Sequence, residues 1–264
     1  MMTPDAIATA RHRPEPATIG TPLLDIAGLQ CRRGVGAQAY RVDLPQLTLC
    51  RGEVLALTGA SGSGKSTLLE VLGLVAAPQP GARFTWLGAE RPIDLAALWQ
   101  RDAQRSLARL RAVGIGFVMQ TGGLLPFLTV RENLVINRRL LGLPEDSAGV
   151  GYLIERLEIG ALLDAHPGRL SVGQQQRASI GRALAHAPAL LLADEPTSAL
   201  DPRLAGRVLA LMLNLAAELG TAVVIATHEH ERVRALHLRQ LQARIVGADD
   251  AGASTSARFE ASPA

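Results

Sequence analysis

The chain of 264 residues is 48% hydrophobic, which suits one large α/β domain with its own core and leaves too little length for two. A net charge of +3, with both signs interleaved along the chain, describes a solvated surface and gives no nucleic-acid stripe. Cys31 and Cys50 lack zinc or C-x-x-C spacing, and no run of about 18 uncharged apolar residues offers a bilayer span, so disulfide scaffolds and membrane-spanning classes are excluded.

Residues 1–20 carry Pro4, Pro14 and Pro16 without a continuous apolar stretch, and read as a disordered tail rather than a secretory signal. Strand-like segments follow at 23–26, 40–44 and 47–49, punctuated by Gly34 and Gly36, and predict an antiparallel β layer. Residues 53–58 form a short apolar run typical of a buried parallel strand. That run opens into Gly59-Ala60-Ser61-Gly62-Ser63-Gly64-Lys65-Ser66-Thr67, which fulfils the pattern G-x-x-x-x-G-K-[ST], and a helix continues over 68–72. Glycines let successive amide N–H groups converge on one anion, and the helix N-terminus adds its partial positive charge. Lys65, the only lysine among 27 basic residues, is placed to reach terminal phosphates, and the Ser66 hydroxyl to ligate Mg2+.

Pro78 to Gly81 break the chain before a strand at 83–87, and residues 95–111 read as one amphipathic helix with Arg101, Arg105 and Arg109 on one face. A second buried strand, 113–119, ends in Gln120, at the carboxyl edge where open α/β sheets bind ligands. Over 121–187, Gly122, Gly123, Pro126, Pro144 and Pro167 separate short helical stretches at 130–141 and 150–157, which predicts an inserted helical subdomain. Its last helix starts in Leu170-Ser171-Val172-Gly173-Gln174-Gln175-Gln176-Arg177 with Ser171 as N-cap and runs to His186. A third buried strand, 189–193, ends in Asp194-Glu195-Pro196, adjacent carboxylates that suit a Mg2+ partner followed by a base for water. Residues 198–202 turn into a helix over 204–219, and a fourth buried strand, 222–226, ends in Thr227-His228. His228 there can hydrogen-bond a γ-phosphate or orient water. Residues 248–264 are rich in Ala, Ser and Asp and read as a second disordered tail.

In this order the phosphate loop, Gln120 after a strand, the Ser171 segment, the Asp194-Glu195 strand end and His228 resemble the ATP-binding-cassette ATPases over residues 21–247. Residues 116–120 and 124–133 look like the lipoprotein-releasing and macrolide-exporter type subunits. The resemblance implies an α/β fold: a P-loop NTPase (RecA-like) core with a mainly parallel sheet, an N-terminal antiparallel β layer and the inserted helical subdomain. It implies that Lys65 and the loop residues Gly59 to Thr67 hold the phosphates of ATP, and that Ser66 and, through water, Asp194 hold Mg2+. Gln120 would touch metal and attacking water, Glu195 act as general base, and His228 position the γ-phosphate. Such cassettes pair head to tail as homodimers or heterodimers, so Ser171, Gly173 and Gln174 would close on the partner's ATP, with Asp201 at the seam. A separate transmembrane permease would receive the motion, holding the protein on the cytoplasmic face of the membrane, with no nucleic acid as partner.

Two positions depart from the family pattern. Cys31 and Arg32 stand near the place of the usual adenine-stacking aromatic, with Tyr40 closer to the loop, and Val172 replaces a signature glycine. Adenine selectivity is open on this reading, as is the rival class of a nucleotide-binding regulatory module without turnover. A soluble cassette acting on DNA or ribosomes fits the length poorly, because such factors carry two cassettes or a long coiled-coil insertion.

Overall fold

The computed structural model describes residues 19–34, 39–246 and 255–261. Its strands form one ten-stranded sheet in the order β5-β4-β1-β2-β10-β9-β3-β8-β7-β6. β1 (Pro22–Arg33) and β2 (Tyr40–Cys50) pair antiparallel, with Leu24, Ile26, Leu29 and Cys31 buried against Val42, Leu44, Leu47 and Leu49. The segments expected at 40–44 and 47–49 are one strand. The register runs Ala27↔Gln46 then Leu29↔Leu44, which sets Gly28, at φ 63°, opposite Pro45, so a residue lacking an N–H meets the break in the ladder. β4 (Arg83–Trp86) and the short β5 (Ile93–Asp94) complete the antiparallel layer.

The parallel half consists of β9 (Arg239–Val246), β3 (Val54–Thr58), β8 (Ala222–Thr227), β7 (Leu190–Asp194) and β6 (Ile115–Val118). Successive side chains leave such strands on opposite faces. Leu190, Leu192 and Val224 enter a core shared with the antiparallel layer, α1 (Lys65–Leu72) and α2 (Leu95–Gln100). Leu191, Ala193, Val223 and Ile225 enter a second core under α6 (Val172–Leu184) and α7 (Pro202–Glu218). α4 (Val130–Leu140) and α5 (Ala148–Arg156) join that second core through Leu134, Val150 and Leu153. The helices within 121–187 are thus welded to the sheet by α6.

Two further expectations fail. The single helix over 95–111 is broken into α2 and α3 (Gln104–Gly114), because the chain turns through Asp102 in the left-handed region at φ 51°. Part of the expected C-terminal tail is a strand: β10 (Thr255–Ala261) lies antiparallel to β9 (Arg239–Val246) and parallel to β2. Ala257 and Phe259 are buried and Arg258 is exposed, the alternation of a strand with one covered face. That pattern is too brief to outweigh the Ala and Ser composition around it. The rest of the two expected tails, residues 1–18, 248–254 and 262–264, lies outside the described residues. After β8 comes α8 (His230–Ala235).

Candidate functional site

The phosphate loop takes its shape from what surrounds it. Gly59 (φ 154°) and Gly64 (φ 84°) adopt backbone angles that side chains disfavour, and neither has space for a Cβ. At Gly59 a Cβ would lie 2.8 Å from Ala243 Cβ of β9, and at Gly64 2.6 Å from Tyr40 Oη of β2. Lys65 is 5% exposed, and its Nζ donates to the carbonyls of Gly59 (2.9 Å) and Ala60 (2.8 Å). Burial lowers the Lys65 pKa, while the carboxylates of Glu195 and Asp194 push the other way. Beneath the loop the Ser63 and Thr58 hydroxyls are buried without hydrogen-bond partners, whereas Ser66 in the first turn of α1 is exposed. The result is a cradle of amides around a folded-back ammonium that anionic oxygens can draw out.

The sheet order brings the other candidates to the same edge. β8 lies between β3 and β7, with Thr58↔Thr227 and Asp194↔Ala226 in register, so loop, carboxylates and histidine emerge side by side. Glu195 sits at φ 43°, uncommon for a residue with a side chain. Its N–H donates to the Ala226 carbonyl (2.9 Å), and its own carbonyl accepts from Ser198 N (3.2 Å) and Ser198 Oγ (3.1 Å). So held, Glu195 Oε1 lies 3.2 Å from His228 Nδ1; the carboxylate side is 20% exposed and the imidazole side 56%. The histidine side of the pair is open to solvent and the carboxylate side is largely covered.

Gln120 is exposed, at a corner of the turn that the Gly122 N–H closes on the Met119 carbonyl (3.0 Å). Ser171 caps α6, its Oγ accepting from Gln174 N (3.3 Å) while Gln174 Oε1 accepts from Ser171 N (2.8 Å). Asp201 caps α7, its Oδ1 accepting from Arg203 N and Leu204 N (both 3.1 Å). Gly173 packs against Leu204, so the first turns of the two helices adjoin. Lys65, Asp194, Glu195 and His228 thus converge, while Ser171, Gly173, Gln174 and Asp201 form a second group at the helix starts.

Sequence reasoning missed the groups that hold the segment following Gln120. Buried Asn133 accepts from Leu125 N (2.7 Å) and donates to the carbonyls of Leu125 (3.0 Å) and Leu128 (3.1 Å). Arg182 of α6 donates to the Gly123 carbonyl (2.5 Å) across 59 residues, a pairing that no local pattern announces.

Among the described residues no group of three or more His, Cys, Asp or Glu could form a dedicated metal cage. The oxygens available, from Ser66, Asp194 and Gln120, fit an ion such as Mg2+ that takes one or two protein ligands and completes its shell with phosphates and water.

Fold and site together define a nucleotide-binding domain of the phosphate-loop class. Residues 42–198 match the family model described as ABC transporter, and the chain belongs to that family as an ATP-binding cassette. It is 36% identical over 247 residues to the macrolide export ATP-binding/permease protein MacB 1 of Aeromonas hydrophila, covering 92% of this chain and 35% of that protein. It therefore spans about a third of the length of that relative. It is 39% identical over 205 residues to the lipoprotein-releasing system ATP-binding protein LolD of Aquifex aeolicus, covering 76% of this chain and 87% of the relative. Among solved structures it resembles the dimeric, post-hydrolysis ATP-binding cassette MJ0796 bound to ADP and Pi, with TM-score 0.71 and 28% identity over 83% of this chain and 94% of that one.

Proposed function

We propose that this cassette binds ATP with Mg2+ and hydrolyses it, that two cassettes close head to tail around two nucleotides, and that the cycle drives a separate transmembrane permease of the export or lipoprotein-release kind. The observation that carries the reading is the 3.2 Å pair of Glu195 and His228 beside the phosphate loop. Lys65 exchanges the Gly59 and Ala60 carbonyls for phosphate oxygens, a charge-assisted contact stronger than the one it leaves. Ser66, Asp194 and Gln120 are the residues to hold Mg2+, which would neutralise charge on the phosphoryl oxygens. Glu195 takes the proton of the attacking water, and His228 fixes the carboxylate and the γ-phosphate side of the site. Ser171, Gly173 and Gln174 present the amides of a helix N-terminus to the nucleotide of the partner cassette. Among the described residues no helix is long and apolar enough to cross a membrane.

The test is phosphate release from ATP by the purified chain, alone and with membranes containing its permease. Stimulated, Mg2+-dependent release is expected, and Lys65→Ala should lose nucleotide affinity. ATP binding with no release under either condition would overturn the hydrolytic reading in favour of a regulatory module.

A further inference from the structure

The segment that carries Gln120 is tied to the signature helix by one guanidinium. After Gln120 the chain passes through Gly122 (φ 74°) and Gly123 (φ 61°), lying over the face of α6 that presents Gln175, Gln176 and, further along, Arg182. A Cβ at Gly122 would be 3.9 Å from Gln176 Oε1, and one at Gly123 3.4 Å from an Arg182 nitrogen and 2.9 Å from Met119 Sδ. Arg182 donates to the Gly123 carbonyl. On the same helix face the Gln176 Nε2 and Ser179 Oγ are buried without partners. Neither adds a second tie, so the Arg182 bond sets where the turn rests on the helix.

We infer that Arg182 is a positioning residue for Gln120: its guanidinium, holding the Gly123 carbonyl, fixes the turn so that the Gln120 carboxamide faces the metal side of the site only while α6 is in place. The inference rests on the proposed role of Gln120 at Mg2+. Its chemistry is that of an outer-shell group, which orients a ligand it does not replace. Because Ser171 and Gly173 begin the same helix, a shift of α6 toward a partner cassette would move Gln120 through this bond.

The test measures binding of a non-hydrolysable ATP analogue to the full chain by calorimetry, in EDTA and in Mg2+. Arg182→Ala should keep the EDTA affinity and lose roughly tenfold of the Mg2+-dependent gain, the scale of outer-shell substitutions. Gln120→Ala should lose as much, and the double variant no more than either, because both act through one group. Arg182→Lys should recover part of the gain. If Arg182→Ala fails to fold, Gly123→Ala keeps the guanidinium but moves its acceptor, and should show the same selective loss. Two results are decisive against the inference. If Gln120→Ala lowers the Mg2+ gain while Arg182→Ala, or Gly123→Ala where Arg182→Ala does not fold, keeps it in full, or if the two losses add, the positioning role is wrong. If Gln120→Ala itself leaves the Mg2+ gain intact, the metal role of Gln120 is wrong and the inference falls with it.

Discussion

A Cβ placed on Gly173 would lie 2.7 Å from Leu204 Cδ2, so the start of the signature helix is fitted to the first turn of α7 within the same chain. Val172, its neighbour, is 52% exposed and touches no such limit. Val172→Gly should therefore change hydrolysis by less than about tenfold, or ~1.4 kcal/mol of barrier. Gly173→Val should remove most activity while ATP binding to the monomer survives. Adding Leu204→Ala to Gly173→Val should recover thermal stability without recovering hydrolysis, if the second need for glycine is approach to the partner's nucleotide. Recovery of both would place the whole constraint at Leu204.

Glu195→Gln removes the proposed base and keeps the shape of the side chain. Loss of a general base costs ~10²- to 10⁴-fold in rate, and Asp194, half-buried at the end of β7, is not paired with His228. The variant should bind ATP and accumulate as a dimer on size-exclusion chromatography. Phosphate release at the parental rate would sink the assignment.

Tyr40 backs the phosphate loop. Its Oη lies 2.6 Å from where a Gly64 Cβ would be, buried and without a hydrogen-bond partner, and burial pushes its pKa up to about 12. Cys31 is buried between strands and Arg32 is exposed, so neither supplies the family's usual aromatic ring. Stacking on a base contributes ~1 to 3 kcal/mol, and without it ATP and GTP should compete nearly evenly. Tyr40→Ala should weaken both alike by loosening the loop, and Tyr40→Phe should keep or raise stability because it removes an unpaired buried hydroxyl. Strong ATP preference abolished by Tyr40→Ala would show that Tyr40 stacks on adenine.

His186, at the end of α6, is buried, with Nε2 3.3 Å from the Ile115 carbonyl and Nδ1 unpartnered. Desolvation pulls its pKa down to about 4 from 6.5. The unfolded chain then binds a proton that the folded chain refuses, so stability is full above pH 6.5 and falls as the pH drops toward 4. The loss approaches about 3 kcal/mol at the acid end. Denaturant unfolding of His186→Gln across this range should show a shallower acid decline, and parallel curves would refute the account.

The site was legible in the sequence wherever chemistry sits at the end of an apolar run. β3, β7 and β8 are buried on both faces, so each reads as a short continuous hydrophobic segment, and the polar residue that ends it stands out: Thr58, Asp194, Thr227. What could not be read depends on distant partners. Pro45 falls between the segments expected at 40–44 and 47–49, and Gly28, which stands opposite it in the register, belongs to another strand. The turn at Asp102 interrupts a pattern of period 3.6 without any Gly or Pro to mark it. Arg182 carries no local signal, because its acceptor, the Gly123 carbonyl, is 59 residues away in the chain.

β10 has a consequence for how the protein reaches its folded state. Among the described residues it alone joins β2 to β9, with Thr255 paired to Tyr40 and Ala257 to both Val42 and Ile245. Until it docks, the antiparallel and parallel halves each present an open strand edge, and pairings so far apart in the chain form slowly. The phosphate loop leans on both halves, on Tyr40 at Gly64 and on Ala243 at Gly59. Competence to bind nucleotide is therefore expected to be acquired last during refolding, lagging behind the far-ultraviolet signal of helix formation, even though the loop sequence lies in the first third of the chain.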